Sequence, residues 1–158
     1  MQGDPRIIDL LNHILRKELT GINQYFIHSR MCKNWGYSVL EKIHYQESIE
    51  EMQHADTLIQ RILFLEGVPN LSDYDPIRVG RTAQEQFDAD LELETAALAV
   101  LRSGVRLCLE AEDHVTREIL EHILVDEEHH VDWLETQKHQ IAEIGYQQYL
   151  AQQLHAHS

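Results

Sequence analysis

The feature that most constrains this chain is a spacing that occurs twice. Glu18 is followed 33 residues later by Glu51 and, 3 further on, by His54; Glu94 is followed 33 residues later by Glu127 and, 3 further on, by His130. Each of these polar residues falls on an apolar stripe. Glu18 lies seven after Leu11 and four before Ile22, while Glu51 and His54 lie seven and four before Leu58. Glu94 lies between Leu91 and Leu98, Glu127 lies four after Ile123, and His130 lies four before Leu134. Residues three, four and seven apart share one face of an α-helix. The chain therefore sends four carboxylates and two imidazoles to the side of its helices that it must bury. A lone Glu-x-x-His says little, because 17 Glu and 11 His in 158 residues supply about one by chance. Glu41 and His44 also match it, but no Glu stands 33 residues before Glu41.

Helix signals place the repeat in a bundle. Asp4-Pro5 reads as an N-cap with proline at the first helical position. Ile7, Leu11, Ile14, Leu15, Ile22, Tyr25 and Phe26 then mark an inward stripe running to about Trp35, and Gly36 ends it. Ser38 and Glu41 predict a capping box for a second helix, with Leu40, Ile43, Leu58, Ile62 and Leu65 inward, until Gly67. Residues 67–80 (GVPNLSDYDPIRVG) read as a loop. Thr82 and Glu85 predict a second capping box and a third helix to about Leu109. Asp113 caps a fourth, which ends at Gly145, and a short fifth covers about 146–154. Hairpin turns near 36 and 112 bring each lone Glu level with its Glu-x-x-His.

A helix of about 27 residues is roughly 40 Å long, and a 14-residue loop reaches about 46 Å when extended. The central loop can therefore run the length of the bundle. The expected architecture is all-α: a four-helix bundle over about 4–145, with one long crossover between the second and third helices and a short fifth helix, within a single domain of 1–158.

Composition agrees. Three Pro and seven Gly are too few for the turns of a β-sandwich. Thirteen basic against 27 acidic residues give a net charge of −14, which argues against nucleic acid and for a cation. No run of eighteen apolar residues suggests a membrane span. The N-terminal MQGDPRIIDLLN shows no secretory pattern, and Cys32 and Cys108 form no CxxC, so a cytoplasmic location with buried free thiols is expected.

The chemistry follows from charge. Carboxylates buried together cost on the order of several kcal/mol each unless compensated, and two divalent cations balance four of them. Oxygen-rich donors with one imidazole per metal and no thiolate suit iron or manganese, with zinc a possible occupant in vitro. Lone glutamates on two helices with Glu-x-x-His on two others form the known ligand pattern of ferritin-like di-iron bundles. The expected arrangement has Glu51 and Glu127 bridging, Glu18 with His54 on one metal, and Glu94 with His130 on the other.

Over nearly its whole length the sequence resembles a bacterioferritin. MQGDPRIIDLLN, ELTGINQYFIHSRM, ESIEEMQHADTLIQRILFLEGVPNL, DEEHHVDWLET and GYQQYL match the family's pattern. The resemblance implies a 24-subunit hollow shell of two-fold dimers, two Fe ions per subunit at a ferroxidase centre using Fe(II) with O2 or peroxide, and ferric mineral in the cavity. The six residues above fall on the family's ligand positions, and the fifth helix would line a symmetry axis. Met52, turned about 100° of helix from Glu51, resembles the methionine that ligates one heme b per subunit dimer. In the family that heme relays electrons from a bacterioferritin-associated ferredoxin, so that iron leaves as Fe(II). Many members carry His and Asp where this chain has Gln46 and Glu50, and use them as an inner-surface iron site; Gln46 is a poor ligand.

Other residues keep two readings. Tyr25 can donate an electron or hydrogen-bond a ligand carboxylate. Glu47 can hold iron transiently or support a ligand. His129 is expected on the surface, and His155 and His157 in a solvated or metal-collecting tail. Two alternatives to the storage ferroxidase stay open. One is a non-storing di-iron oxidase or peroxidase, against which the fifth helix and Met52 argue. The other is a heme-bearing or structural subunit that co-assembles with a second ferritin chain, against which the six intact ligands argue.

Overall fold

The computed structural model describes residues 1–154. Five helices follow in order: α1 (Pro5–Trp35), α2 (Ser38–Phe64), α3 (Ala83–Glu110), α4 (His114–Ile144) and α5 (Tyr146–Ala151). α1 packs against α2, α3 against α4, and the two hairpins meet through α1 with α3 and α2 with α4. This is the ferritin-like four-helix bundle. No helix among the described residues is long and apolar enough to cross a membrane.

Most helix boundaries follow local chemistry. The Asp4 carboxylate accepts from the Arg6 backbone N–H, with Pro5 opening the helix, and Gly36 closes it at φ 85°, a left-handed conformation that favours glycine. Thr82 accepts from the Glu85 N–H and Asp113 from that of Thr116.

α2 departs from expectation. The Ser38–Glu41 capping box does not form, and Tyr37 occupies the N-cap without a side-chain bond. Ser38 Oγ instead donates to the Leu154 carbonyl at 2.8 Å, and the Val39 N–H donates to the Gln153 carbonyl at 3.1 Å. The same bonds explain why α5 ends at Ala151 rather than near 154: its last residues leave the helix to serve the start of α2. Glu41 is engaged by Arg30. Phe26 is also corrected: it is 47 % exposed and lies against Tyr45 with the Arg30 guanidinium over its ring, outside the core.

The interior is layered. Ile7, Leu11, Ile14, Leu58, Ile62, Leu101 and Leu120 belong to one apolar cluster; Cys32, Leu40, Phe87, Leu134, Ile141 and Tyr149 belong to another. On each long helix the residues between these clusters are the buried polar ones, so the polar layer is clamped by two dry halves. Both cysteines are buried, and burial pushes the Cys32 thiol up to about 12, which leaves it unreactive.

The crossover, residues 65–82, is laced to α1 by side chains four apart. Asn12 accepts from the Asn70 N–H, Thr20 from that of Asp75, Gln24 from that of Arg78 and His28 from that of Gly80. Arg16 and Lys17 hold the Asp75 carboxylate at 3.2 and 2.7 Å. A four-residue interval repeats one face of the helix, so a single row on α1 holds the strand-like loop along the bundle.

Candidate metal centre

Glu18 on α1, Glu51 and His54 on α2, Glu94 on α3, and Glu127 and His130 on α4 converge in the polar layer. Each is at most 7 % exposed. They form two groups of four whose donor atoms lie within 4.8 Å of one another: Glu18, Glu51, His54 and Glu127, and Glu51, Glu94, Glu127 and His130. Glu51 and Glu127 belong to both, which is the geometry of two adjacent cation positions with two shared carboxylates.

The histidines are set alike. Nδ1 of His54 faces inward, 3.4 Å from Glu18 Oε2 and 3.2 Å from Glu127 Oε1. Nδ1 of His130 faces inward, 3.4 Å from Glu51 Oε1 and 3.8 Å from Glu94 Oε1. Each Nε2 faces an outer carboxylate: Asp126 Oδ2 at 2.8 Å for His54, and Glu50 Oε2 at 3.0 Å together with Glu47 for His130. Such outer bonds fix the ring and leave Nδ1 free to ligate a metal.

Several inward atoms have no partner. Glu18 Oε1, Glu51 Oε1, Glu94 Oε2, both oxygens of Glu127 and His130 Nδ1 make no hydrogen bond. Buried polar atoms are ordinarily paired, so a cluster of orphan oxygens is what an oxygen-liganded cation pair would satisfy. Without a cation the site holds protons instead. Burial and the neighbouring Glu127 push Glu18 and Glu51 well above the usual carboxylate range. Burial alone would depress His54, but its contacts with Glu127 and Asp126 and the nearby Glu51 raise it to about 9. The same balance holds His130 far above an ordinary histidine through Glu47, Glu50 and Glu51.

Further residues surround the six. Tyr25 Oη donates to Glu94 Oε1 at 2.8 Å. Glu47 contacts His130 Nε2, and Glu47, Glu50 and His130 form a further group whose donor atoms lie within 4.8 Å of one another. His129 is exposed, and Met52, 52 % exposed, points away from the six. His155 and His157 lie outside the described residues.

The sequence reading missed two contributors. Asp126 precedes Glu127 as Glu50 precedes Glu51, so extending the repeat by one residue would have revealed it. Gly21 makes room for a ligand: a Cβ there would stand 3.0 Å from Glu51 Oε2.

Comparison with known proteins agrees with this geometry. Residues 8–144 match the ferritin-like domain. The chain is 45% identical over 152 residues to a bacterioferritin of Mycobacterium leprae, covering 96% of each. It is 44% identical to one of Brucella melitensis, covering 94% of this chain and 92% of that protein. It is 48% identical to one of Rhodobacter capsulatus, covering 87% and 85%. With the bundle, the doubled Glu-x-x-His and these relatives taken together, the chain belongs to the ferritin-like family and, within it, to the bacterioferritins.

Proposed function

We propose that this chain is an iron-storage ferroxidase that takes up Fe(II), oxidises it with O2 or peroxide, and stores the ferric product inside a shell of its own copies. The observation that carries this reading is the pair of four-donor groups sharing Glu51 and Glu127, lined by oxygens that nothing else satisfies. Two ferrous ions bound there would supply two electrons to the oxidant.

The chain's own residues set the conditions. Glu18 and His54 would hold one ion, Glu94 and His130 the other, and the carboxylates of Glu51 and Glu127 would balance the charge of both. Asp126 and Glu50 orient the imidazoles and receive their outer protons. Tyr25 holds Glu94 in place. The apolar halves above and below exclude bulk water and confine exchange to the polar layer.

Met52 lies seven residues after Tyr45 on one face of α2, both are exposed, and Tyr45 lies against Phe26. An exposed methionine on the α2 face that also carries Tyr45 suits a heme b held with the copy from a two-fold-related subunit, and this heme would receive electrons from a ferredoxin for iron release. A 24-subunit shell in the cytoplasm completes the proposal.

The test is an anaerobic Fe(II) titration of the metal-free protein, followed by O2 or peroxide and monitored by ferric absorption. Two Fe(II) per chain, oxidised far faster than in buffer and lost in Glu18→Ala, is the expected result. Oxidation no faster than in buffer with either oxidant overturns the enzyme reading. Chromatographic size separates a shell from a small oxidase.

A further inference from the structure

Between α2 and α4 lies a cavity of about 400 Å3, lined in part by Thr57, Glu118, His122, Asp126 and His54. Glu118, His122 and Asp126 are four apart on α4, so they form one row. Exposure falls along it: Glu118 and His122 are exposed, Asp126 is half-buried, and His54 is 7 % exposed. The row ends in contact, with Asp126 Oδ2 2.8 Å from His54 Nε2. Glu50 reaches the same point: Glu50, His54 and Asp126 each offer a donor atom within 4.8 Å of the others. Directly behind the imidazole stand Glu18 and Glu127, 1 % exposed, each with an Oε1 that has no hydrogen-bond partner.

Charge distinguishes this cavity from two others. The cavity beside the crossover is lined by Lys17 and Arg78, and the one at the end of the bundle by Arg61. The cavity that ends on His54 has no Lys or Arg in its lining. A divalent cation gives up water only where oxygen or nitrogen donors replace it, and donors one helical turn apart, about 6 Å, allow it to pass in steps without losing its shell at once.

Resting on the di-iron reading above, we propose that this cavity is the path by which divalent cations reach the two metal positions. Glu118 and His122 are the outer relay ligands, and the carboxylates of Glu50 and Asp126, against the His54 ring, form the last holding point.

The test uses the full-length, metal-free assembled protein and Co(II), followed by its visible absorption in stopped flow. Wild type should bind two Co(II) per chain. The Glu118→Gln/His122→Gln variant should reach the same final stoichiometry at least fivefold more slowly. Thr57→Trp, which fills the cavity without touching a charge, should slow filling likewise. Glu121→Gln, an equal charge change on the neighbouring face, should fill at the wild-type rate. Filling of both path variants at the wild-type rate, or equal slowing by Glu121→Gln, overturns the path while leaving the two-cation site standing. A wild-type protein that binds no Co(II) overturns the di-iron reading, and the path falls with it.

Discussion

The bundle buries two polar clusters side by side, and they are built on opposite principles. Around Glu94, four carboxylates meet two imidazoles and leave several oxygens without partners. One turn earlier on α3, Asp90 is equally buried but stands alone among donors: Gln24 donates to its Oδ1 at 2.8 Å, and His28 Nδ1 lies 3.0 Å from the same oxygen. His28 then accepts from the Gly80 N–H, and burial pushes the adjacent His44 down to about 4, so it stays neutral. A single acid with Gln24 and His28 on one oxygen ties α1, α3 and the crossover together, although its Oδ2 and both His44 nitrogens have no hydrogen-bond partner. Four acids with too few donors need cations. The ratio of carboxylates to donors, rather than burial, separates a structural cluster from a binding one.

The sharpest way to break this comparison is to remove one acid from each cluster. Glu127→Ala removes a proposed shared ligand, and ferroxidase activity should fall by about 100-fold or more, since even outer partners of metal ligands are worth roughly 10–100-fold. Its metal-free stability should change little, because a repulsive charge leaves with the ligand. Asp90→Ala should do the reverse. Chemical denaturation should show a loss of about 1–3 kcal/mol from donors left unpaired, while a Co(II) titration still finds two ions per chain. If Asp90→Ala abolishes metal binding with stability intact, the two clusters are one.

A smaller effect is expected at Gly21. Gly21→Ala places a methyl against Glu51 Oε2 and should weaken Co(II) binding by about tenfold, as measured by competition with a chelator. Undiminished affinity would show that Glu51 has room to spare.

The smallest effect is a pH dependence. The folded metal-free site holds protons more tightly than the unfolded chain: His54 is raised from 6.5 to about 9, with Glu18 and Glu51 raised as well. That stabilisation is complete below the unfolded value and is lost as pH rises through the folded one. Thermal melts of the metal-free protein should therefore fall between pH 6.5 and 9 by several degrees, at about 2–4 °C per kcal/mol for a chain of this size. His44, neutral throughout that range, adds nothing to the slope. Co(II) replaces the protons and binds better as they leave, so the loaded protein should show a flat or rising limb. Equal slopes with and without metal would contradict the charge argument.

The same contrast explains what the sequence disclosed. The six candidate ligands were legible because a polar residue on an apolar stripe violates a local rule, and the violation recurred at a fixed interval. The crossover was legible as a length. Its fastening was not, because Asn12, Thr20, Gln24 and His28 bond backbone N–H groups, which every residue but proline carries and no side-chain pattern marks. The start of α2 misled for a related reason: Ser38 and Glu41 satisfy the local capping rule, but residues 153 and 154 supply the acceptors from the far end of the chain. Local rules fail where a distant segment offers a better bond.

The central claim is that the polar layer is unbalanced until two divalent cations enter. Anaerobic calorimetry of Co(II) binding to metal-free protein in buffers of different ionisation enthalpy tests it most directly, because it counts ions and released protons together. The account predicts two ions per chain with net proton release, and loss of both events in Glu127→Ala. Binding without proton release, or an unchanged count in that variant, would contradict it.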